Sequence, residues 1–362
     1  MAETAPDLTI RSLRARAVMA PLRRPVTTAT ASIPAAPLVL IDLFCDQGVE
    51  GRAYIFGYAG AALRPLVDLV ESLGEILAGR PLAPAAMQRL LEDRFRLLGA
   101  QGLLGMAISG VDMAAWDALG RAAGQSVARL LGGREDPIPC YDSHGLFNPE
   151  TSPSDLEDAL RSGFGAVKFK VGAGDLSDDV AALCEIRSII GPDVRLMIDY
   201  NQSLSAPEAI RRLRRLAEFD LTWAEEPVPA EDFAGHAAVR AAAGVAIQTG
   251  ENWCFPQGAA NAIAFGVSDH AMPDLGKIGG VTGWGGAAAL ANAAALPISS
   301  HIFVEASAHV MSATPGAYLV EHLDLAGAIL RDPAAIVGGA VAPRGPGLGL
   351  DWDERAVEAH LI

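Results

Sequence analysis

The chain has 362 residues, 51% of them hydrophobic, and a formal net charge of −15. That length and apolar content support a large packed core and exclude a disordered chain. The acidic balance argues against nucleic acid and anionic membrane as partners.

Met1 to Ile10 carries two acids and no apolar stretch, so no signal peptide is read there. Leu8 to Met19 alternates apolar and polar residues, as a half-buried strand does. Pro21 to Pro37 contains four prolines and is read as a loop. Leu38 to Phe44 and Gly51 to Phe56 read as strands joined by a turn at Asp46-Gln47-Gly48. From Ala61 to Leu131 the pattern is helical, and Gly132-Gly133 ends it. Strands followed by helices predict a separate α+β unit over residues 1–134.

A repeat begins near Ile138. Strands are predicted to start at about Ile138, Ala166, Arg195, Leu221, Val245, His270, Leu296 and Tyr318, with helices between them. Asp178 to Ile190 is one such helix, and Ser205-Ala206-Pro207-Glu208 reads as the capping box of the next. Eight β-then-α units predict a modified, TIM-like (β/α)8-type barrel over 135–323. Val281 to Leu296 is alanine-rich but broken by glycines, a barrel helix and not a membrane span. Residues 324–362 carry glycine-rich turns, a strand-like Leu348 to Trp352 and a short terminal helix; they are expected to return to the N-terminal capping unit. Cys45, Cys140, Cys184 and Cys254 form no CxxC, which points to reduced thiols and a cytoplasmic location.

Three predicted strands end in a carboxylate: Asp199, Glu225 and Glu251, each 26 residues from the next. Successive parallel strands present such residues at one barrel mouth. An all-oxygen, triply anionic cage suits a hard divalent cation, Mg²⁺ first. Lys168 and Lys170 share a strand face. An outward pair would meet the covering helices, so the inward reading is favoured. Repulsion between them, burial and a nearby dication are expected to lower the pKa of one into general-base range. Asp274 and His301 fall at the ends of neighbouring strands, where an Asp can fix the tautomer of a His. Glu321 lies among apolar residues; it is either a neutral hydrogen-bond donor or a salt-bridged structural acid. Arg211 to Arg215 reads as the outer face of a barrel helix, Gly172-Ala173-Gly174 lacks a third fingerprint glycine, and Asp112 and Asp117 read as structural.

This constellation resembles the enolase superfamily, in its mandelate racemase subgroup, across nearly the whole chain. The resemblance rests on Tyr141-Asp142-Ser143-His144, Lys168-Phe169-Lys170, Asp199-Tyr200-Asn201, Glu225-Glu226-Pro227, Gly250-Glu251-Asn252 and Met272-Pro273-Asp274. Lys277-Ile278-Gly279-Gly280, Ser299-Ser300-His301 and Glu321 complete it. It implies Mg²⁺ at Asp199, Glu225 and Glu251, with Mn²⁺ able to substitute. It implies Lys170 and His301, the latter oriented by Asp274, as bases on opposite faces of a carbon α to a carboxylate. Lys168 and Glu321 would stabilise the enediolate, Asn201 and Ser143 would support it, and Lys277 is not read as the second base. Val26, Ile33, Phe56 and Tyr58 would contact the substrate side chain. Thr30 stands where the subgroup's namesake has an apolar residue, and Arg24 where it has an aromatic one. The implied function is a racemase of a small 2-hydroxy acid such as mandelate; the alternative is an acid-sugar dehydratase. The implied assembly is a homo-octamer.

Overall fold

The computed structural model describes residues 7–28 and 32–362. Residues 1–6, on which most of the leader reading rests, and Thr30 lie outside the described residues. The chain opens with an antiparallel sheet of β1 (Ile10–Thr27), β2 (Ser32–Cys45) and β3 (Glu50–Phe56), in that order. Successive side chains of β2 point to opposite faces. Ile41 packs at Gly110, while Asp42 reaches the Trp352 indole, so both faces of the strand are covered. The helices of this unit are α1 (Gly60–Leu77), α2 (Pro84–Arg94), α3 (Leu103–Ala123) and the single turn α4 (Val127–Leu130).

The expected loop from Pro21 to Pro37 is instead mostly strand. The prolines fit because β3 pairs with β2 only from Leu38 onward, so Pro34 and Pro37 owe that side no N–H. A register irregularity between Pro21 and Val26 takes Pro25 out of the ladder, after which Val26 pairs with Ile33.

The barrel strands are β4 (Ile138–Leu146), β5 (Ala166–Lys170), β6 (Arg195–Asp199), β7 (Leu221–Glu225), β8 (Ile247–Thr249), β9 (His270–Ala271) and β10 (Val320–His322). They pair in parallel in the order β10-β4-β5-β6-β7-β8-β9. Ile298 bridges both Ala271 and Ala317 and so closes the ring. The strand expected from Leu296 is thus reduced to isolated bridges at Ile298 and His301, and Pro297 has no N–H to extend the ladder. The intervening helices are α5 (Ser152–Arg161), α6 (Leu176–Ile190), α7 (Ala206–Leu216), α8 (Phe233–Ala242), α9 (Phe255–Phe265), α10 (Gly280–Ala293) and α11 (Val304–Ser312). This is a modified (β/α)8 barrel with an N-terminal capping unit. Among the described residues no helix is long and apolar enough to cross a membrane.

Two local expectations fail. Ser205 makes no side-chain cap bond at α7, and the Glu208 carboxylate that would complete the box is engaged by Arg211 and Arg212. A capping box forms at α6 instead, where Asp178 takes the Asp175 N–H at 2.8 Å. Leu348 to Trp352 is not a strand: Gly347 and Gly349 both turn at positive φ, and only Trp352 bridges, to Leu330. The tail, with β11 (Ala340–Val341) and α12 (Glu354–His360), contacts the cap. Leu348 N–H donates to Asp117 and the Trp352 indole N–H to Asp42.

Candidate active site

Alternation along the barrel strands decides which side chains enter the barrel. Tyr141, Ala166, Met197, Trp223 and Leu319 fill its interior, whereas Phe169, Ile198 and Ala224 pack outward under the helices. Lys168 therefore points inward, with its ammonium 5.2 Å from the Tyr141 ring centre. Lys170 follows on the same face, one layer nearer the C-terminal mouth.

The acids stand beside the lysines in register. Lys170 pairs with Asp199 across β5–β6, and Asp199 with Glu225 across β6–β7. Beyond β8, Gly250 turns at φ +144°, so close to Met272 that a Cβ would lie 2.7 Å from its backbone. That glycine lets the chain pass and present Glu251 at the same end. Lys168 Nζ lies 2.7 Å from Glu225 Oε1 and 2.8 Å from Glu321 Oε1. Lys170 Nζ lies 2.7 Å from both Asp199 Oδ2 and Asn201 Oδ1. His301 Nδ1 is 2.5 Å from Asp274 Oδ2, and its Nε2 is 3.1 Å from Glu251 Oε2. Tyr58, Asn201, Gln202, Glu226, Ile302 and Phe303 all adopt positive φ around this mouth. Such backbone strain clusters where side chains must be aimed.

The electrostatics show crowded carboxylates. Burial pushes the Glu225 carboxyl up to about 8; Lys168 opposes this, while Asp199, Glu321 and Glu251 reinforce it. Glu226 is likewise held well above the ordinary range by burial and by Glu251. Burial would push Lys168 and Lys170 down, but the neighbouring carboxylates outweigh it and raise both. Each ammonium faces acids more closely than its fellow ammonium; the lowering expected for one lysine rests also on a nearby dication and stays an expectation. Burial also pushes Glu321 up, but Lys168 and His301 outweigh it and hold the carboxyl down at about 2. Glu321 Oε1 meets the Lys168 ammonium and its Oε2 accepts the Ile302 N–H, the arrangement of a salt-bridged acid.

Among the described residues no three His, Cys, Asp or Glu side chains are gathered as ligands around one point. The acids are turned instead onto lysines and the histidine. The donor chemistry nonetheless fits a hard dication. Asp199, Glu225, Glu226, Glu251, Asp274 and Glu321 outnumber Lys168, Lys170, Lys277 and His301, and every donor is oxygen.

The cap approaches the mouth at several points. Gly145 on β4 lies so near Thr27 of β1 that a Cβ would meet its backbone nitrogen at 2.6 Å. Ser143 is buried beside Lys168 in the β4–β5 register. Phe56 and Tyr58 sit with ring centroids 4.5 Å apart, and the Tyr58 hydroxyl donates to Asp274. Arg24 does not enter the barrel. It binds Asp142 at 2.9 and 2.8 Å through both guanidinium nitrogens, and Asp142 also meets His144 and His322. Sequence reasoning missed this cluster. The available signal was Asp142 and His144 two apart on a strand, hence on one outward face. A cavity of about 600 Å³ beside it, lined by Arg23, Arg24, Asp158, Arg161 and His322, is separate from the acids at the mouth.

Two family models match the chain. The mandelate racemase / muconate lactonizing enzyme N-terminal domain matches residues 10–132, and the enolase C-terminal domain-like model matches residues 154–356. A crystal structure of an enolase from Bradyrhizobium, complexed with magnesium and mandelic acid, is 51% identical with a TM-score of 0.97; the match covers 99% of this chain and 100% of that one. D-galactarolactone cycloisomerase of Agrobacterium fabrum is 32% identical over 345 residues, covering 88% of this chain and 90% of the relative. L-Talarate dehydratase from a Polaromonas species, complexed with magnesium and L-glucarate, is 28% identical with a TM-score of 0.88, covering 98% of each chain.

Proposed function

This chain belongs to the mandelate racemase / muconate lactonizing enzyme group of the enolase superfamily, and from that membership we propose its reaction. It racemises a 2-hydroxy acid, with mandelate or a similar aromatic or apolar acid as substrate, using Mg²⁺ held by Asp199, Glu225 and Glu251. What supports this reading is Lys170 beside Asp199 on the second barrel strand, together with the His301–Asp274 pair, whose imidazole also meets Glu251.

A proton α to a carboxylate is weakly acidic because its removal places new negative charge beside the old. The dication, when bound, offsets that charge at the carboxylate oxygens. Lys168 adds a buried ammonium, which Glu225 and Glu321 hold in place. Lys170 takes the proton from one face of the α-carbon, and His301, aligned through Nδ1 by Asp274, serves the other. Removal on one face and return on the other invert the centre. Asn201 steers Lys170 through its amide oxygen, and Ser143 lines the carboxylate side.

Val26, Ile33, Phe56 and Tyr58 form the wall for the substrate side chain. Arg24, engaged outward by Asp142, adds no charge to that wall, which favours an apolar acid. The likeness to a mandelate-bound enolase supports the same choice.

Polarimetry with (R)-mandelate and Mg²⁺ tests the proposal: optical rotation decays to zero without consumption of the acid. The sugar-acid relatives favour a second reading, dehydration of an acid sugar by the same Lys170 and His301. A 2-keto product trapped by semicarbazide, with no racemisation across a panel of 2-hydroxy acids, would select it.

A further inference from the structure

We propose that Tyr58 is a positioning residue for the His301–Asp274 pair, through which the cap sets the orientation of one of the two bases. The inference rests on the reading of His301 as a proton carrier. The Tyr58 hydroxyl donates to Asp274 Oδ2 at 3.1 Å, the same oxygen that faces His301 Nδ1 at 2.5 Å. Asp274 Oδ1 takes the Gly276 N–H at 2.6 Å. The carboxylate is therefore held at both oxygens. Among the described residues, the Tyr58 hydrogen bond is the one to this carboxylate from outside the barrel.

Tyr58 is itself fixed by specific contacts, since 38% of it remains exposed and burial alone does not anchor it. Its backbone stands at φ +59°, a conformation a tyrosine adopts only when its surroundings impose it. Phe56 lies against its ring on one side. The Lys277 ammonium sits 4.3 Å from the ring centre and is tethered to Asn252 Oδ1 at 2.8 Å. The ring is thus clamped and its hydroxyl aimed. Without that hydroxyl, Asp274 Oδ2 keeps His301 alone, and the carboxylate can pivot about its bond to the Gly276 N–H. The imidazole follows it, and proton transfer is sensitive to such misplacement. A tyrosine serving only as a substrate wall needs no hydroxyl on Asp274.

Tyr58→Phe tests this with two readouts. In protein labelled with ¹⁵N-histidine, the Nδ1 proton of His301 is assigned as the resonance missing from His301→Asn. It is expected to shift in Tyr58→Phe, and an unmoved resonance would overturn the proposal. In D₂O, Tyr58→Phe is expected to slow exchange about tenfold for the enantiomer that Lys170→Ala still exchanges, the loss set by one hydrogen bond to a charged group. The other enantiomer and KM should change by less than about twofold, because neither depends on that bond. Equal slowing of both enantiomers, or a raised KM with unchanged kcat, would make the Tyr58 hydroxyl act on the substrate and not on Asp274, and sink the idea. If the wild type exchanges neither enantiomer, the proposed reaction falls, and the resonance alone decides the role of Tyr58.

Discussion

Two groups of acids in this molecule are equally cut off from water and differ in what surrounds them. Asp112 and Asp117 lie on α3 of the cap. Asp112 takes the Thr282 N–H at 3.0 Å and its hydroxyl at 2.5 Å, tying the cap to α10. Asp117 takes the N–H groups of Arg52 and Leu348 and the Arg121 guanidinium, tying β3 and the tail to α3. Asp199, Glu225 and Glu251 at the mouth each meet an ammonium or imidazole group, with Asn201 also donating twice to Asp199, and they crowd one another and further acids. Burial alone therefore does not mark a functional acid. Acids that join one element to another through fixed donors hold the fold, and acids crowded together around too few cations are available to a ligand.

The largest contrast should come from the proton carriers. Lys170→Ala and His301→Asn are each expected to lower racemisation by about 10²- to 10⁴-fold, measured by polarimetry, with folding unchanged by circular dichroism. Asp199→Asn should lower turnover by roughly 10²- to 10³-fold while leaving the metal-free melting temperature little changed. A metal-free protein that collapses in this variant would erase the distinction between the two acid groups.

Mg²⁺ should stabilise the wild type by about 2.7 kcal/mol at a hundredfold excess over its Kd, read as a rise in melting temperature. That rise should vanish in Asp199→Asn and persist in Asp117→Asn. Asp117→Ala acts in the opposite sense. It leaves buried donors unpaired and should cost about 1–3 kcal/mol in denaturant melts, with kcat per folded molecule unchanged.

A further effect concerns pH. Burial pushes the Asp112 carboxyl up to about 7, against the Thr282 hydrogen bonds, above the value of an unfolded aspartate near 4. Between those values the folded state holds a proton that the unfolded state has released. Asp112 therefore makes stability fall as pH rises through that window. Asp112→Asn should flatten this part of the stability–pH curve, and an unchanged slope would show that the carboxyl is ionised throughout.

The barrel was legible because its strands announce themselves twice, by an apolar run and by a charged residue at the end of it. Asp199, Glu225, Lys168 and Lys170 lie on strands whose starts were placed from the sequence alone. The strand ending before Glu251 starts two residues later than expected, and the seventh position shrinks to isolated bridges at Ile298 and His301, because short inner strands carry little pattern. The β1–β2 hairpin was misread because proline counts against a strand unless the pairing partner of each face is known. The two readings of Glu321 stayed open in the sequence for a related reason: its charge state depends on Lys168, which is distant in sequence and 2.8 Å away in space. The Arg24–Asp142 and Tyr58–Asp274 contacts join cap to barrel across more than a hundred residues, a distance no local pattern spans.

The central claim is that two proton carriers serve opposite faces of one carbon, and ¹H NMR of separate enantiomers in D₂O with Mg²⁺ tests it most directly. The wild type should exchange the α-proton of both, Lys170→Ala only that of one, and His301→Asn only that of the other. Loss of exchange from both enantiomers in each variant, or retention of the same enantiomer by both, would contradict it.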